Sequence, residues 1–401
     1  MFNISNLQQS VKQYILITAN YWAFTLTDGA LRMLVVLHFY QLGYSPLSIA
    51  MLFLFYEIFG IVTNLVGGWL GARLGLNQTM NYGLFVQIIA LSMLLVPNEY
   101  LTVVWVMAAQ ALSGIAKDLN KMSAKSAIKL LVSDEQNKEN KLYHWVAILT
   151  GSKNAMKGFG FFLGAALLAS LGFYMTVASM AIVLLFILII SLIKLEKNLG
   201  KIKRKAKFNS IFSKSQSINT LSAARVFLFG ARDVWFVVAL PVYFSSHLLW
   251  EHWQVGSFMA IWVIGYGLVQ SQSPKVTGHH PSGNTAAIWG AALSMVTLLL
   301  IVFFTYFPNY GQAVLVIGLI IFGVFFAVNS SLHSYLIVNY SSKQSISMDV
   351  GFYYMANASG RLLGTLLSGY IYQQFGLLSC LIASFIMLTT ASIISIKLPK
   401  S

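Results

Sequence analysis

Twelve apolar runs, each long enough to cross a hydrocarbon core of about 30 Å, follow one another along this chain. They cover approximately residues 14–41, 47–70, 79–96, 101–122, 143–170 and 174–194, then 219–246, 254–273, 285–307, 312–338, 349–371 and 376–396. Inside lipid, a segment of this length satisfies its own backbone polar groups only as an α-helix. Charged residues make up 9% of the sequence, against roughly 25% in a soluble domain. That is too little charge to cover a surface facing water. The expectation is an all-α membrane protein with twelve transmembrane helices in two six-helix halves. The first half takes residues 1–194 and the second 219–401, and residues 195–218 form a basic, hydrophilic linker.

Charge placement orients the helices. The lysines and arginines between runs include Lys12, Arg73, Lys129, Lys138, Lys141, those of the linker, Lys275, Lys343, Lys397 and Lys400. All belong to the termini or the even-numbered loops. The odd-numbered loops (QLGYSP, PNEY, SLGF, SSHLLWEHW, TYFPNYG and YQQFG) have none. Cytoplasmic loops collect Lys and Arg, so both termini are expected in the cytoplasm. The same rule explains the net charge of +15, which in a soluble chain would suggest nucleic acid; no nucleic-acid partner is expected. The single cysteine, Cys380, lies in an apolar run and reads as a packing residue.

An ionisable side chain at mid-membrane costs a few kcal/mol, so it faces a cavity or a partner. The cations within the runs are Arg32, Lys117, Lys153, Lys157, Arg225, Arg232 and Arg361, with Lys121 at a boundary; the acids are Asp28, Glu57, Asp118 and Asp233. Asp28 and Arg32 have the i,i+4 spacing of an ion pair, and Asp233 stands beside Arg232. Lys153 and Lys157 share one helix face, roughly 15–21 Å along the helix at 1.5 Å per residue, with no acid near them in sequence. The cations outnumber the acids, which points to a cationic cavity for a multiply charged, phosphate-like anion. Lys117, Lys121, Lys125 and Lys129 are spaced four apart and form one stripe on a helix. The first two are expected at the cavity's cytoplasmic mouth and the last two among lipid head groups. Sliding the halves by 205 residues places Asp28 on Asp233, the arrangement of an internal repeat. These two acids and Glu57 are the candidates for proton coupling.

Other motifs carry packing. Gly67, Gly71 and Gly75 are four apart, as are Gly360, Gly364 and Ser368, the small-residue faces that let membrane helices approach closely. No phosphate-binding loop, no HExxH and no Cys/His cluster of metal-ligand spacing occurs. Neither an enzyme, a metal nor a cofactor is expected.

Twelve helices, two halves and a basic linker resemble the major facilitator superfamily. The segment GWLGARLGLN resembles that family's signature in the loop between helices 2 and 3. Gly68, Arg73 and Gly75 match; Ala72 replaces the acid, and Leu76 and Asn77 replace basic positions. A more specific resemblance runs through YWAFTLTDGALRMLVVLHFYQLGYSPL, FGIVTNLVGGWLGARLGL, SGIAKDLNKMSAKSAIKLLV, LTGSKNAMKGFGFFLGAALL and LSAARVFLFGARDVWFVVALPVYF. These segments are similar to the ArsJ-type organoarsenical efflux transporters, and the likeness covers nearly the full chain. It implies alternating-access export of 1-arseno-3-phosphoglycerate across the bacterial cytoplasmic (inner) membrane by a monomer. The cargo would be made by glyceraldehyde-3-phosphate dehydrogenase acting on arsenate. The alternative keeps the fold and changes the cargo to an organophosphate or sugar phosphate exchanged for phosphate. A drug exporter is disfavoured by the cation surplus, and a membrane enzyme by the lack of a catalytic constellation.

Overall fold

A computed structural model describes residues 9–399 apart from 44–51, 53, 133–137, 197–198, 200–214, 238, 251, 279 and 344. The described residues are mostly helical, with no strand among them. Helices α1 (Gln9–Gln41), α2 (Leu54–Leu74), α3 (Leu76–Met93) and α4 (Val103–Val132) are followed by the long α5 (Lys138–Lys194). After the linker come α6 (Gln216–Phe236), the short α7 (Ala239–Ser246), α8 (His252–Thr277), α9 (Gly283–Tyr306), α10 (Gly311–Tyr340) and the long α11 (Ile346–Ser395). Most of the linker lies outside the described residues.

Straight, the 57 residues of α5 would span about 85 Å at 1.5 Å per residue, far more than a bilayer. The helix turns back at Gly172, where φ is 73° and ψ 178°, a conformation open to glycine alone. Gly376 does the same in the 50-residue α11, with φ 74° and ψ −176°. The two glycines lie 204 residues apart in sequence, close to the repeat offset expected from the acids. Each long helix therefore makes two crossings, α6 and α7 together make one, and the chain has the twelve expected.

Cα packing divides the chain into two compact units. The first comprises Met1–Trp145, Ser152–Ser213 and Ser341–Met355, and the second Val146–Gly151, Lys214–Tyr340 and Ala356–Ser401. In the first unit the core gathers Phe24, Leu34, Phe39, Leu84, Leu91, Val177 and Leu184. In the second, Trp235, Phe244, Trp262, Phe322, Phe326 and Leu388 pack together, with the Trp235 and Phe322 ring centroids 5.0 Å apart.

Outward-pointing apolar side chains complete the membrane reading. Ile182, Phe186 and Ile193 are 64–75% exposed along one side of α5, where a soluble protein would not leave a contiguous apolar face of this kind. Five helices among the described residues meet a strict test of length and composition for crossing a membrane.

The small-residue faces do bring helices close. A Cβ on Gly364 would stand 2.6 Å from the Gly230 carbonyl oxygen and 2.9 Å from Asp233 Cβ, so α11 and α6 touch backbone to backbone. In the first unit, a Cβ on Gly29 would stand 2.7 Å from the Lys157 carbonyl oxygen, so α1 and α5 meet in the same way.

Candidate functional site

Each unit holds one cluster of buried charges. In the first unit the cluster begins where α2 meets α4. Gly114 of α4 lies against the backbone of Tyr56, at 2.7 Å from a built Cβ to the Tyr56 carbonyl oxygen. One helical turn further, Lys117 Nζ sits 3.8 Å from the centroid of the Tyr56 ring. Arg32 of α1 reaches the same ring, its Cζ 4.9 Å from the centroid. Tyr56 is buried and donates its hydroxyl to Asp28 Oδ1 at 2.8 Å. Arg32 Nη2 lies 3.6 Å from Glu57 Oε1.

Besides the i,i+4 spacing of Asp28 and Arg32, each has a partner on α2: Tyr56 for Asp28 and Glu57 for Arg32. Glu57, isolated from bases in sequence, is not isolated in space. Sequence spacing reports only neighbours on the same helix, and both of these contacts cross between helices.

The lysine stripe of α4 continues the cluster. Lys121 Nζ holds Asp118 Oδ1 at 2.6 Å, and Lys117 Nζ is 3.9 Å from the other carboxylate oxygen. Lys121 and Lys125 both approach the ring of Tyr354, at 4.3 and 5.5 Å. Lys129 Nζ donates to the carbonyl of Ser341. The expectation that Lys125 and Lys129 lie among lipid head groups is thus corrected. Lys125 is 3% exposed, and both lysines spend their charge inside the first unit. The repulsion between neighbours on the stripe is offset by a ring, a carboxylate or a carbonyl at each position.

Lys153 and Lys157 stand half-buried on α5. The turn that carries Lys157 packs on α1 at Gly29, next to Asp28. In the loop motif, Gly68 packs against Ser347 and Gly351, with 2.6 Å from a built Cβ to the Ser347 carbonyl oxygen. Arg73 is exposed and lies over the Trp69 ring at 5.1 Å. Gly75 separates α2 from α3.

The second unit sets two arginines on one carboxylate and a third on a ring shared with one of them. Asp233 of α6 is fully buried. Arg232 Nη2 holds its Oδ1 at 2.5 Å, and Arg361 Nε of α11 donates to its Oδ2 at 3.3 Å. Arg225, about two helical turns back along α6, donates to Asn357 Oδ1 at 2.8 Å and to the Ser330 carbonyl at 3.4 Å. Its Cζ lies 3.8 Å from the centroid of Phe229, and Arg232 Cζ lies 5.0 Å from the same ring. Arg232 is further flanked by Phe236 and Phe326, at 5.6 and 5.5 Å. The only other acid in this unit's sequence is Glu251.

Sequence reading missed the neutral members: Tyr56, Tyr354, Phe229 and Asn357 have no signal beyond an aromatic or amide in an apolar run. It also missed His333, fully buried on α10 three residues from Ser330; an ionisable residue inside a span was signal enough to find it. Among the described residues no three His, Cys, Asp or Glu side chains come together as metal ligands do. Chemically, the two clusters offer guanidinium and ammonium groups held by rings, carboxylates and hydrogen bonds.

Comparison with known proteins follows the same line. No curated protein sequence matches significantly. Among solved structures, the human organic anion transporter MFSD10 has 13% identity and a TM-score of 0.77, over 97% of this chain and 100% of the other. A bacterial homologue of the iron transporter ferroportin, in its outward-facing state, has 13% identity and a TM-score of 0.77 over 98% and 99%. The E. coli fucose:proton symporter has 11% identity and a TM-score of 0.74 over 97% and 98%. At these identities the likeness is one of fold. The family model for the Major Facilitator Superfamily matches residues 15–277, about two-thirds of the sequence. Twelve crossings, the fold and this match together make the chain a multi-pass membrane transporter belonging to the major facilitator superfamily.

Proposed function

We propose that this transporter exports an anionic organoarsenical, 1-arseno-3-phosphoglycerate, out of the cell by alternating access. The observation that carries the reading is the second unit's set of three arginines, Arg232 and Arg361 on the single carboxylate of Asp233 and Arg225 on the Phe229 ring beside Arg232. An ionisable group inside a membrane is expensive, so three retained arginines call for an anion to receive them. In the first unit Arg32, Lys117, Lys121, Lys153 and Lys157 supply further positive charge. A cargo with a phosphate at one end and an arsenate ester at the other is a multiply charged anion of the kind such cations attract. The near-full-length sequence resemblance to organoarsenical exporters supports this cargo. The protein then acts as a monomer in the bacterial inner membrane with both termini cytoplasmic, downstream of glyceraldehyde-3-phosphate dehydrogenase, which makes the cargo.

The test is arsenate resistance in a sensitive bacterium. Resistance is expected only when this protein and glyceraldehyde-3-phosphate dehydrogenase are expressed together. Resistance from the transporter alone would assign a different cargo, such as free arsenate. Transport of 3-phosphoglycerate in exchange for phosphate, without any arsenic export, would assign the protein to organophosphate exchange instead.

A further inference from the structure

Beside Arg225 the second unit holds a set of uncharged polar groups that the arginine cluster does not use. Ser222 of α6 and His333 and Ser334 of α10 are buried, with exposures of 2%, 2% and 0%. Ser222 Oγ, His333 Nδ1 and Ser334 Oγ have no hydrogen-bond partner among the described residues.

The packing of α6 on α10 brings the three together. The Phe229 and Phe326 ring centroids are 5.2 Å apart, and Arg225 Nη1 donates to the Ser330 carbonyl at 3.4 Å. Numbers fall on α6 as they rise on α10, so the two helices run antiparallel. Ser222 shares a helix face with Arg225 and Phe229, and His333 shares one with Ser330 and Phe326. A further step of three residues along this register sets Ser222 level with His333, and Ser334 follows one turn after Ser330. The Arg225 charge reaches His333.

An unpaired polar atom in a buried place costs about 1–3 kcal/mol, and a ligand that brings hydrogen bonds recovers that cost. Serine hydroxyls both donate and accept, and an imidazole nitrogen does one or the other according to its tautomer. That set matches an alcohol, which also does both. A phosphate or carboxylate oxygen only accepts, and a guanidinium serves it better.

We infer that Ser222, His333 and Ser334 form a hydrogen-bonding subsite for a hydroxyl group of the cargo, next to Arg225, which meets the neighbouring anionic oxygen. The ligand class is an organic anion with an alcohol beside its charged end, as in a 2-hydroxy acid or its acyl ester. The inference rests on the anionic-cargo reading and adds to it a group that sets specificity: charge attracts any such anion, and the subsite selects the one with the hydroxyl. A site built to hydrogen-bond a hydroxyl rejects the analogue lacking it, because its buried polar groups are then left unpaired.

The experiment measures equilibrium binding of two anions to the full-length purified chain, alongside thermal unfolding. One is 3-phosphoglycerate; the other is 3-phosphonooxypropanoate, which has the same two charged ends and lacks the hydroxyl. The unmodified protein should bind 3-phosphoglycerate about tenfold more tightly, which corresponds to about 1.4 kcal/mol. Ser222→Ala and Ser334→Ala should each reduce that preference, and His333→Leu should abolish it. His333→Asn, which retains a hydrogen-bonding group near Nδ1, should keep part of it. Without ligand, the two serine variants should melt no lower than the unmodified protein, since each loses an unpartnered buried hydroxyl. Equal affinity of the unmodified protein for the two anions would overturn the subsite. So would an unchanged preference in both serine variants, and a lowered melting temperature beside it would make the hydroxyls structural. Binding of neither anion by the unmodified protein would overturn the anionic-cargo reading and the inference with it.

Discussion

Arg361 Nε donates to Asp233 Oδ2 across 3.3 Å, joining α11 to α6 through a carboxylate that solvent does not reach. The contact depends on the glycines around it. Gly360 and Gly364 flank Arg361, and both press on the α6 backbone, at 2.8 Å from a built Cβ to Val226 Cα and 2.6 Å to the Gly230 oxygen. In sequence Arg361 lies 204 residues after Lys157, and Gly364 lies 204 after Gly160. Gly160 packs on α1 in the first unit, 3.0 Å from a built Cβ to the Ala30 nitrogen. The repeat thus places a cation beside a close helix contact in each half.

Asp233→Asn keeps the side chain's shape and leaves two arginines without their carboxylate in a buried place. Removing one partner of a buried pair costs about 3–5 kcal/mol. Thermal unfolding of the purified protein is expected at a clearly lower temperature. Adding Arg361→Met should recover part of the loss, and a double-mutant cycle should give a coupling above about 1 kcal/mol. Additive effects of the two substitutions would show that the pair is not energetically real.

Gly360→Ala sets a methyl against backbone that cannot rotate away. Overpacking of this kind costs about 1–3 kcal/mol. Gly369 of the same helix has nothing within 4 Å of a built Cβ, so Gly369→Ala should be neutral or slightly stabilising, since alanine is the better helix former. Unfolding curves of the two variants make the comparison; equal behaviour would mean that α6 and α11 are not in backbone contact.

Tyr56 links Asp28 to the charge of Arg32 and Lys117. An anion that draws either cation away from the ring changes what surrounds Asp28. The same displacement of Arg32 removes the counter-charge of Glu57. We therefore expect an inward proton gradient to accelerate export, and Asp28→Asn or Glu57→Gln to remove that acceleration. Asp233 could act in this way only if both Arg232 and Arg361 let go of it, so Asp233 ranks below the other two. Export indifferent to the gradient, or driven equally well by phosphate exchange, would leave Asp28 and Glu57 as structural partners.

The twelve crossings were legible because lipid imposes a single answer on a long apolar run, and because the basic loops alternate without exception. The reversals at Gly172 and Gly376 sat in the loops SLGF and YQQFG, but their helical continuity on both sides was not visible from hydropathy. The charged members of both clusters were legible as charges out of place in a span. Their partners were not. Asp28 with Tyr56, Arg32 with Glu57 and Lys125 with Tyr354 are contacts between helices, and a single sequence carries no record of which helices adjoin. The rings that hold the cations look, in sequence, like any other aromatic residue in an apolar run.

The most direct measurement of cargo uses everted membrane vesicles containing this transporter, in which export appears as uptake. The vesicles are given arsenate, glyceraldehyde-3-phosphate and NAD, with or without glyceraldehyde-3-phosphate dehydrogenase, and arsenic inside them is counted. Arsenic should accumulate only when the dehydrogenase is active, fall when excess 3-phosphoglycerate competes, and vanish in the Arg225→Met variant. Equal accumulation without the dehydrogenase, or none with it, would contradict export of the organoarsenical.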